Sequence, residues 1–244
     1  MPIIYLSPST QEFNPYNGGG NEEYYMNRIA DAMEPYLAAS GIRYVRNTPE
    51  MTAATSIAAS NSGNYDLHFA LHSNATGSGD GSVRGSEVYY YPTSQSGKRF
   101  ADIVAQNLKQ IYPLPNNVKT VPTTTLGEVR RVKAPGVLVE IAYHDNAQDA
   151  DFIRNNIDAI AANLVLSLTE YFGIPFNTPQ NIFTANVATM GSNLNVRYNP
   201  SIEAQIVGKI PNGAEVVVYN LGPDWSVVGY GDIVGYVSTR YLQY

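Results

Sequence analysis

Five polar residues at the ends of short apolar runs carry the chemistry open to this sequence: Gln11, Glu22, His72, Glu140 and His144. In an open α/β sheet, ligands bind beyond the carboxyl ends of the strands. The run Ile3–Leu6 ends in Ser7–Gln11, and the helix after its loop begins at Glu22. The run Asp66–Leu71 ends at His72-Ser73-Asn74, and Glu140 lies in the run Gly136–Ile141. Gln11, Glu22, His72 and Glu140 can therefore gather on one edge of a sheet. A histidine and two carboxylates at a cleft are what a mononuclear zinc hydrolase requires. Zinc takes imidazole nitrogen and carboxylate oxygen and keeps one position for water. A further carboxylate then accepts that water's proton as general base.

Each residue also has a plainer reading. Glu22 suits the first turn of a helix, where acids complement the dipole, and His72 can be a hydrogen-bonded strand-end histidine. Glu140 is harder to explain that way. A carboxylate inside Val-Leu-Val-Glu-Ile-Ala is expensive to bury without a partner or a function. His144 follows in Tyr143-His144-Asp145-Asn146, where it can bind metal, orient substrate or donate a proton, or simply belong to a loop that caps the last helix. His68 has the strand parity of His72 but lies roughly 13 Å back along a straight strand, so it is expected to be structural.

The elements that must position these residues alternate strand and helix up to about residue 175. Asn21 suits an N-cap. Met26, Ile29, Ala30, Met33 and Leu37 then form one buried helical face that Gly41 ends. Ile42–Val45, Tyr65–Leu71, Ser86–Tyr91 and Gly136–Ile141 read as further strands. Phe100 to Ile111 reads as a second helix, and Asp149 to Phe172 as one long one. The pattern predicts a doubly wound, mostly parallel twisted α/β sheet with helices on both faces. Two prolines and a glycine in residues 173–180 mark a boundary. Beyond it the helical period is lost. Short runs at Asn193–Val196, Ala204–Val207, Glu215–Asn220, Trp225–Tyr230 and Ile233–Val237 predict a small all-β barrel. The expected division is a catalytic domain over 1–175, a linker over 176–181 and a barrel over 182–244.

Composition narrows the function. The chain has 244 residues and a formal net charge of −6, which argues against nucleic acid as a partner. It has no cysteine, so disulfides, thiolate zinc sites and cysteine nucleophiles are excluded. No stretch approaches the roughly 20 apolar residues of a spanning helix, so membrane insertion is not expected. The start, Met1-Pro2-Ile3-Ile4-Tyr5-Leu6, lacks a basic n-region and does not read as a conventional secretory signal. Neither a nucleophile-elbow motif nor a phosphate-binding loop is present.

The residues around the candidate site resemble the zinc-dependent N-acetylmuramoyl-L-alanine amidases of the amidase-3 type. The resemblance runs from Ile3 to Phe172. It rests on the strand leading into Ser7-Pro8-Ser9, on Glu22 with Ile29-Ala30 downstream, on Leu71-His72-Ser73-Asn74-Ala75 and on Gly85-Ser86-Glu87-Val88-Tyr89-Tyr90. It ends on Val137-Leu138-Val139-Glu140-Ile141-Ala142-Tyr143-His144-Asp145-Asn146. It implies Glu22 and His72 as metal ligands, Glu140 as the catalytic glutamate, Zn2+ as the cofactor and peptidoglycan as the substrate. The bond it implies joins the lactyl group of N-acetylmuramic acid to the L-alanine of the stem peptide.

This sequence departs from the family at one place. The family's first ligand is a histidine in a Pro-Gly-His context, whereas here the stretch is Pro8-Ser9-Thr10-Gln11. Three accounts are open. Gln11 or Thr10 supplies an oxygen; His144 moves in as the replacement nitrogen; or the domain holds zinc poorly and binds wall without cutting it. The expectation is a functional variant site, because Glu22, His72 and Glu140 are all kept.

From about Asn193 to Leu242 the chain resembles bacterial SH3-like wall-binding modules, through Leu194-Asn195-Val196-Arg197, Ile210-Pro211-Asn212-Gly213, Trp225 and Gly235-Tyr236-Val237. That implies wall contacts at Trp225 and Tyr236, although a core aromatic is an equal reading of Trp225. The whole is expected to be a peptidoglycan amidase acting on the cell wall as a monomer. It would be released by lysis or a phage holin, as an autolysin or an endolysin, unless a signal has been removed. The competing readings are a non-catalytic wall binder with a degraded metal site and a zinc peptidase or deacetylase acting on the same wall.

Overall fold

Apolar runs that are covered on both faces build the centre of the first sheet. The computed structural model describes residues 1–244. In chain order the first elements are β1 (Ile3–Pro8), α1 (Glu22–Ala39), β2 (Arg43–Arg46), α2 (Ala53–Ser62), β3 (Leu67–Asn74) and β4 (Ser86–Tyr90). They are followed by α3 (Gln95–Ile111), β5 (Val118–Pro122), α4 (Gly127–Arg130), β6 (Gly136–Tyr143), α5 (Ala147–Asn155) and α6 (Ile157–Phe172). The strand order is β2-β1-β3-β6-β4-β5. The pairs β1/β3, β3/β6 and β4/β5 are parallel, and β4 runs antiparallel to β6. The sheet is therefore mixed and mostly parallel, as the alternation predicts.

Register assigns each strand two faces. Tyr5 pairs with His68 and Ser7 with Ala70 between β1 and β3. Ala70 pairs with Leu138 and His72 with Glu140 between β3 and β6. Glu140 also pairs with Glu87 of β4. Because side chains alternate along a strand, these residues share one face, and Val129 of α4 packs there against Ala70 and Leu138. The opposite face carries Phe69, which meets Phe100 of α3 edge-on; Phe100 in turn meets Tyr171 of α6.

Two expectations are corrected. The single helix over Asp149–Phe172 is two helices broken at Asn156, whose side chain donates to the Phe152 carbonyl and closes α5. Asparagine competes for backbone groups in this way, which favours helix ends over interiors. The expected strand at Ala204–Val207 lies at Ile206–Ile210. The sequence reading also missed the strands over Phe183–Val187 and Leu242–Gln243 and, around the first sheet, α2, β5 and α4. Helix α2 contains one large apolar residue, Ile57, so it shows no periodicity; its start is fixed by a capping box between Thr52 and Thr55. Strand β5 is a half-exposed edge, and α4 spans four residues.

The chain divides into two compact units. One comprises Ile3–Met33 and Tyr44–Tyr171; the other comprises Phe172–Tyr244 with Met1–Pro2 and Glu34–Arg43. The second unit holds an antiparallel seven-stranded sheet of β7 (Phe183–Val187), β8 (Leu194–Arg197), β9 (Ile206–Ile210), β10 (Glu215–Asn220), β11 (Trp225–Tyr230), β12 (Ile233–Ser238) and β13 (Leu242–Gln243). Alternate residues of these strands, among them Val196, Ile210, Val218, Val228 and Val237, form its core. No helix is long and apolar enough to cross a membrane.

Candidate active site

Two kinds of support bring the site residues together. The sheet supplies His72 and Glu140 side by side on β3 and β6, with Glu87 next in the row. The loop between β1 and α1 supplies Gln11, and the first residue of α1 is Glu22. Gly18, Gly19 and Gly20 all take positive φ, between +82° and +105°, a conformation that favours glycine. This turn returns the chain so that Glu22 N–H donates to the Asn14 carbonyl and α1 starts beside β3.

Glu22 Oε1 lies 2.8 Å from His72 Nδ1, and the Gln11 amide lies 3.3 Å from the same nitrogen. Asn14 Nδ2 donates to Glu22 Oε2 at 2.6 Å and to Gln11 Oε1 at 3.3 Å. Both Glu22 and His72 are buried, at 1% and 7% exposure. Burial pushes the Glu22 carboxyl up, but the hydrogen bonds from His72 and Asn14 outweigh it and hold the group below the usual carboxylate range. Burial pushes the His72 imidazole down, but Glu128 and Glu22 outweigh it and raise it well above its ordinary value.

Glu140 has no such partner. Its Oε2 is out of contact with solvent and accepts no hydrogen bond, although the residue as a whole is only half-buried. Desolvation, with Glu22, Glu87 and Glu128 nearby and only His72 opposing, pushes its carboxyl up to about 8. Glu87, beside it, is held by Lys119 Nζ at 2.8 Å, by Asn74 Nδ2 at 3.2 Å and by the Tyr89 hydroxyl.

His144 is placed elsewhere. Its Nδ1 donates to the Ser73 carbonyl at 2.8 Å and lies 3.0 Å from Ser73 Oγ, and its ring stacks on Tyr16. Tyr16 OH donates to Ser73 Oγ at 2.6 Å. His144 is thus consumed in a buried cluster that borders the site through Ser73, and the structure does not bring it to Glu22 and His72. The reason is local: β6 ends at Tyr143, and the turn after it packs His144 N–H onto the Asn74 carbonyl.

Sequence reasoning missed Glu128. Its Oε2 lies 2.9 Å from His72 Nε2, so His72 has a carboxylate at each ring nitrogen. Its Oε1 accepts from Ser7 Oγ at 2.5 Å and lies 3.4 Å from His68 Nε2. Burial pushes its carboxyl up, but His68 and His72 outweigh it and hold it well below the usual range. His68 and His72 therefore share a carboxylate across the distance that rules out a shared metal. One available signal was an acid inside Leu126-Gly127-Glu128-Val129, placed like Glu140 among apolar neighbours.

The donor set can be tested against a divalent cation. Three carboxylates, Glu22, Glu128 and Glu140, surround one imidazole, and Glu140 Oε2 is buried without a partner. A cation among them would offset that charge. Strong donors number two on the Nδ1 side, and no three His, Cys, Asp or Glu side chains form a complete metal cluster. The third donor there is the Gln11 amide, whose oxygen and nitrogen exchange on a half-turn. The residues fit a cation in charge and donor type, with an amide where a stronger ligand is usual.

Two grooves open on the surface. One of about 640 Å3 runs from Gln11 past Phe13 to Glu50 and Met51. The other, about 610 Å3, lies in the β unit between Asn193, Arg197, Asp224, Trp225 and Arg240. Trp225 is half-buried at its wall. Tyr236, expected to contact wall, is instead buried, and its hydroxyl is pushed up to about 12 by that burial. Val237 faces the core of the β unit, so Tyr236 lies on the other face of β12, where its hydroxyl donates to the Ser40 carbonyl at 3.5 Å and it acts as a packing residue.

Comparison with known proteins finds matches to both parts of the chain. Residues 192–243 match the bacterial SH3 domain. The amidase AmiC2 of Nostoc punctiforme shares the fold at 19% identity, over 70% of this chain and 97% of that one, with a TM-score of 0.61. The catalytic domain of the CD27L endolysin targeting Clostridia Difficile does so at 22% identity, over 70% and 97%, with a TM-score of 0.57. An N-acetylmuramoyl-L-alanine amidase from Clostridium difficile 630 does so at 14% identity, over 70% and 97%, with a TM-score of 0.63. No curated protein matches the sequence. Residues 10–170, about two-thirds of the chain, match the N-acetylmuramoyl-L-alanine amidases, and this protein belongs to that family.

Proposed function

We propose that the chain hydrolyses the amide between N-acetylmuramic acid and the L-alanine of the peptidoglycan stem peptide, with Zn2+ held by Glu22, His72 and Gln11 and with Glu140 as general acid–base. The observation that carries this reading is Glu140: a buried, unpartnered carboxylate oxygen beside His72, on a group raised to about 8. Zinc, when bound, would polarise the scissile carbonyl and acidify its water. Glu140 takes a proton at its free Oε2 and returns it to the leaving amine. A base with a value near working pH both accepts and donates readily. Glu87 and Lys119 fix the neighbouring wall of the site. The groove beside Gln11 offers room for the stem peptide. His144 holds Ser73, whose N–H donates to Glu22 Oε1 at 3.4 Å.

The β unit supports wall binding through the groove at Trp225 and Arg240. Tethering a weak binder to a catalyst raises the effective concentration of an insoluble substrate without a new contact at the reacting bond. We assign the catalytic domain to 1–175, the linker to 176–181 and the wall-binding domain to 182–244, and place the activity at the bacterial cell wall.

Digestion of purified peptidoglycan with and without a chelator tests the reading. New N-terminal L-alanine that disappears on chelation is expected. A different new end would make the protein a peptidase or deacetylase. No new end, with the protein still pelleting with wall, would leave a binding protein with a degraded metal site.

A further inference from the structure

We propose that Glu128 is the positioning residue of the site: it accepts the His72 Nε2–H and thereby leaves Nδ1, on the Glu22–Gln11 side, as the ring nitrogen for a metal. This rests on the reading of His72 as a metal ligand. An imidazole offers a metal one nitrogen only when the other carries the proton, and an ionised carboxylate can only accept. Outer carboxylates of this kind fix ring orientation and raise ligand basicity.

The geometry is built for that task. Glu128 Oε2 faces His72 Nε2 at 2.9 Å. Its other oxygen is fixed by Ser7 Oγ and lies within ion-pair reach of His68 Nε2. Ser7 belongs to a further buried layer: Asn47 Nδ2 donates to Ser56 Oγ at 3.0 Å and to the Pro8 carbonyl at 2.9 Å, and lies 3.4 Å from Ser7 Oγ. His68 is held by Ser60 through Nδ1 at 2.9 Å and stacks on Tyr5. Residues from β1, β3 and α2 thus immobilise one carboxylate contributed by α4. The backbone makes room for it at Gly136, where a Cβ would lie 2.7 Å from the Glu128 carbonyl oxygen. The network also gives a role to His68, which the chemistry does not otherwise use.

The test uses the full chain. Zinc affinity is measured by competition with a chromophoric chelator for wild type, Glu128→Gln, Ser7→Ala, Glu22→Gln and His72→Ala. The zinc-loaded wild type, labelled with 15N-histidine, reports which ring nitrogen of His72 is protonated; three histidines make the assignment tractable. The expected result is a proton on Nε2, a loss of zinc affinity of about 10–100-fold in Glu128→Gln and a smaller loss in Ser7→Ala. Wild-type affinity in Glu128→Gln beside a loss in Glu22→Gln would overturn the proposal and leave Glu128 structural. A proton on Nδ1 would overturn it too, because the metal would then sit on the Glu128 side. Unchanged affinity in Glu22→Gln and His72→Ala would overturn the metal reading and this proposal with it. If Glu128→Gln does not fold, Ser7→Ala and the wild-type spectrum decide.

Discussion

Replacing Glu140 with glutamine is expected to stabilise the metal-free protein while abolishing hydrolysis. The sign follows from linkage. Glu140 titrates near 8 in the fold and near 4.5 in an ordinary setting. Below pH 4.5 both states carry the proton, and the group contributes no pH dependence. Between 4.5 and 8 the unfolded chain releases a proton that the folded chain keeps, so stability falls as pH rises. The slope is about 1.4 kcal/mol per pH unit, which gives a penalty of about 1 kcal/mol at pH 5 and about 3 kcal/mol at pH 7. Glutamine has nearly the same shape and no charge, so Glu140→Gln removes that penalty. A gain of about 3 kcal/mol corresponds to roughly 6–12 °C in Tm for a chain of this size. The assay is urea unfolding in chelator at pH 5, 6 and 7, followed by far-UV circular dichroism, which reports the helices of the α/β unit. The only tryptophan, Trp225, lies in β11, so its fluorescence reports the β unit separately and should not shift. A variant whose advantage does not grow with pH, or one that still cleaves peptidoglycan, would refute the reasoning.

Four further outcomes are expected. Gln11→His should raise zinc affinity by about tenfold, equivalent to about 1.4 kcal/mol; unchanged affinity in chelator competition would remove position 11 from the ligand set. Asp149 is fully buried and accepts from Arg84, Tyr112 and the N–H groups of Gly85 and Tyr143, so Asp149→Ala should cost about 3–5 kcal/mol by leaving the Tyr112 hydroxyl and the two N–H groups without an acceptor; a wild-type urea midpoint would contradict this. Gly136→Ala places a Cβ within 2.6–2.9 Å of Val132 and two α4 carbonyls; overpacking of this kind costs about 1–3 kcal/mol, and the variant's denaturation curve should show it. Trp225→Ala should reduce pelleting with insoluble wall while leaving turnover of a soluble muropeptide unchanged; equal pelleting would make Trp225 a packing residue only.

The strands that carry His72 and Glu140 were legible because they are long apolar runs bounded by polar turns. Glu140 stood out for the reason it matters: a charge where the pattern demands an apolar side chain. Strand β4 was legible as a strand but not as antiparallel to β6, since direction is set by the crossover rather than by composition. Helices α2 and α4 were invisible because one is built of small residues and the other is a single turn, so neither repeats an apolar position often enough to show a period. With α4 went Glu128, and with Glu128 the reason for His68. The placement of His144 was also beyond the sequence. Its distance from Glu140 along the chain was clear, but the turn that ties it to Ser73 depends on contacts between residues some seventy apart.

The site is half rigid and half suspended. His72, Glu140 and Glu87 sit on adjacent strands of the first sheet, whose amides open only when the sheet does. Gln11 and Glu22 hang from the triple-glycine turn, which the fold holds through a few backbone bonds. An ion held between the two halves would act as a clasp. Chelation would then leave the sheet closed but free the loop, so hydrogen exchange and protease nicking should rise around Gly18–Gly20 and nowhere else in the α/β unit.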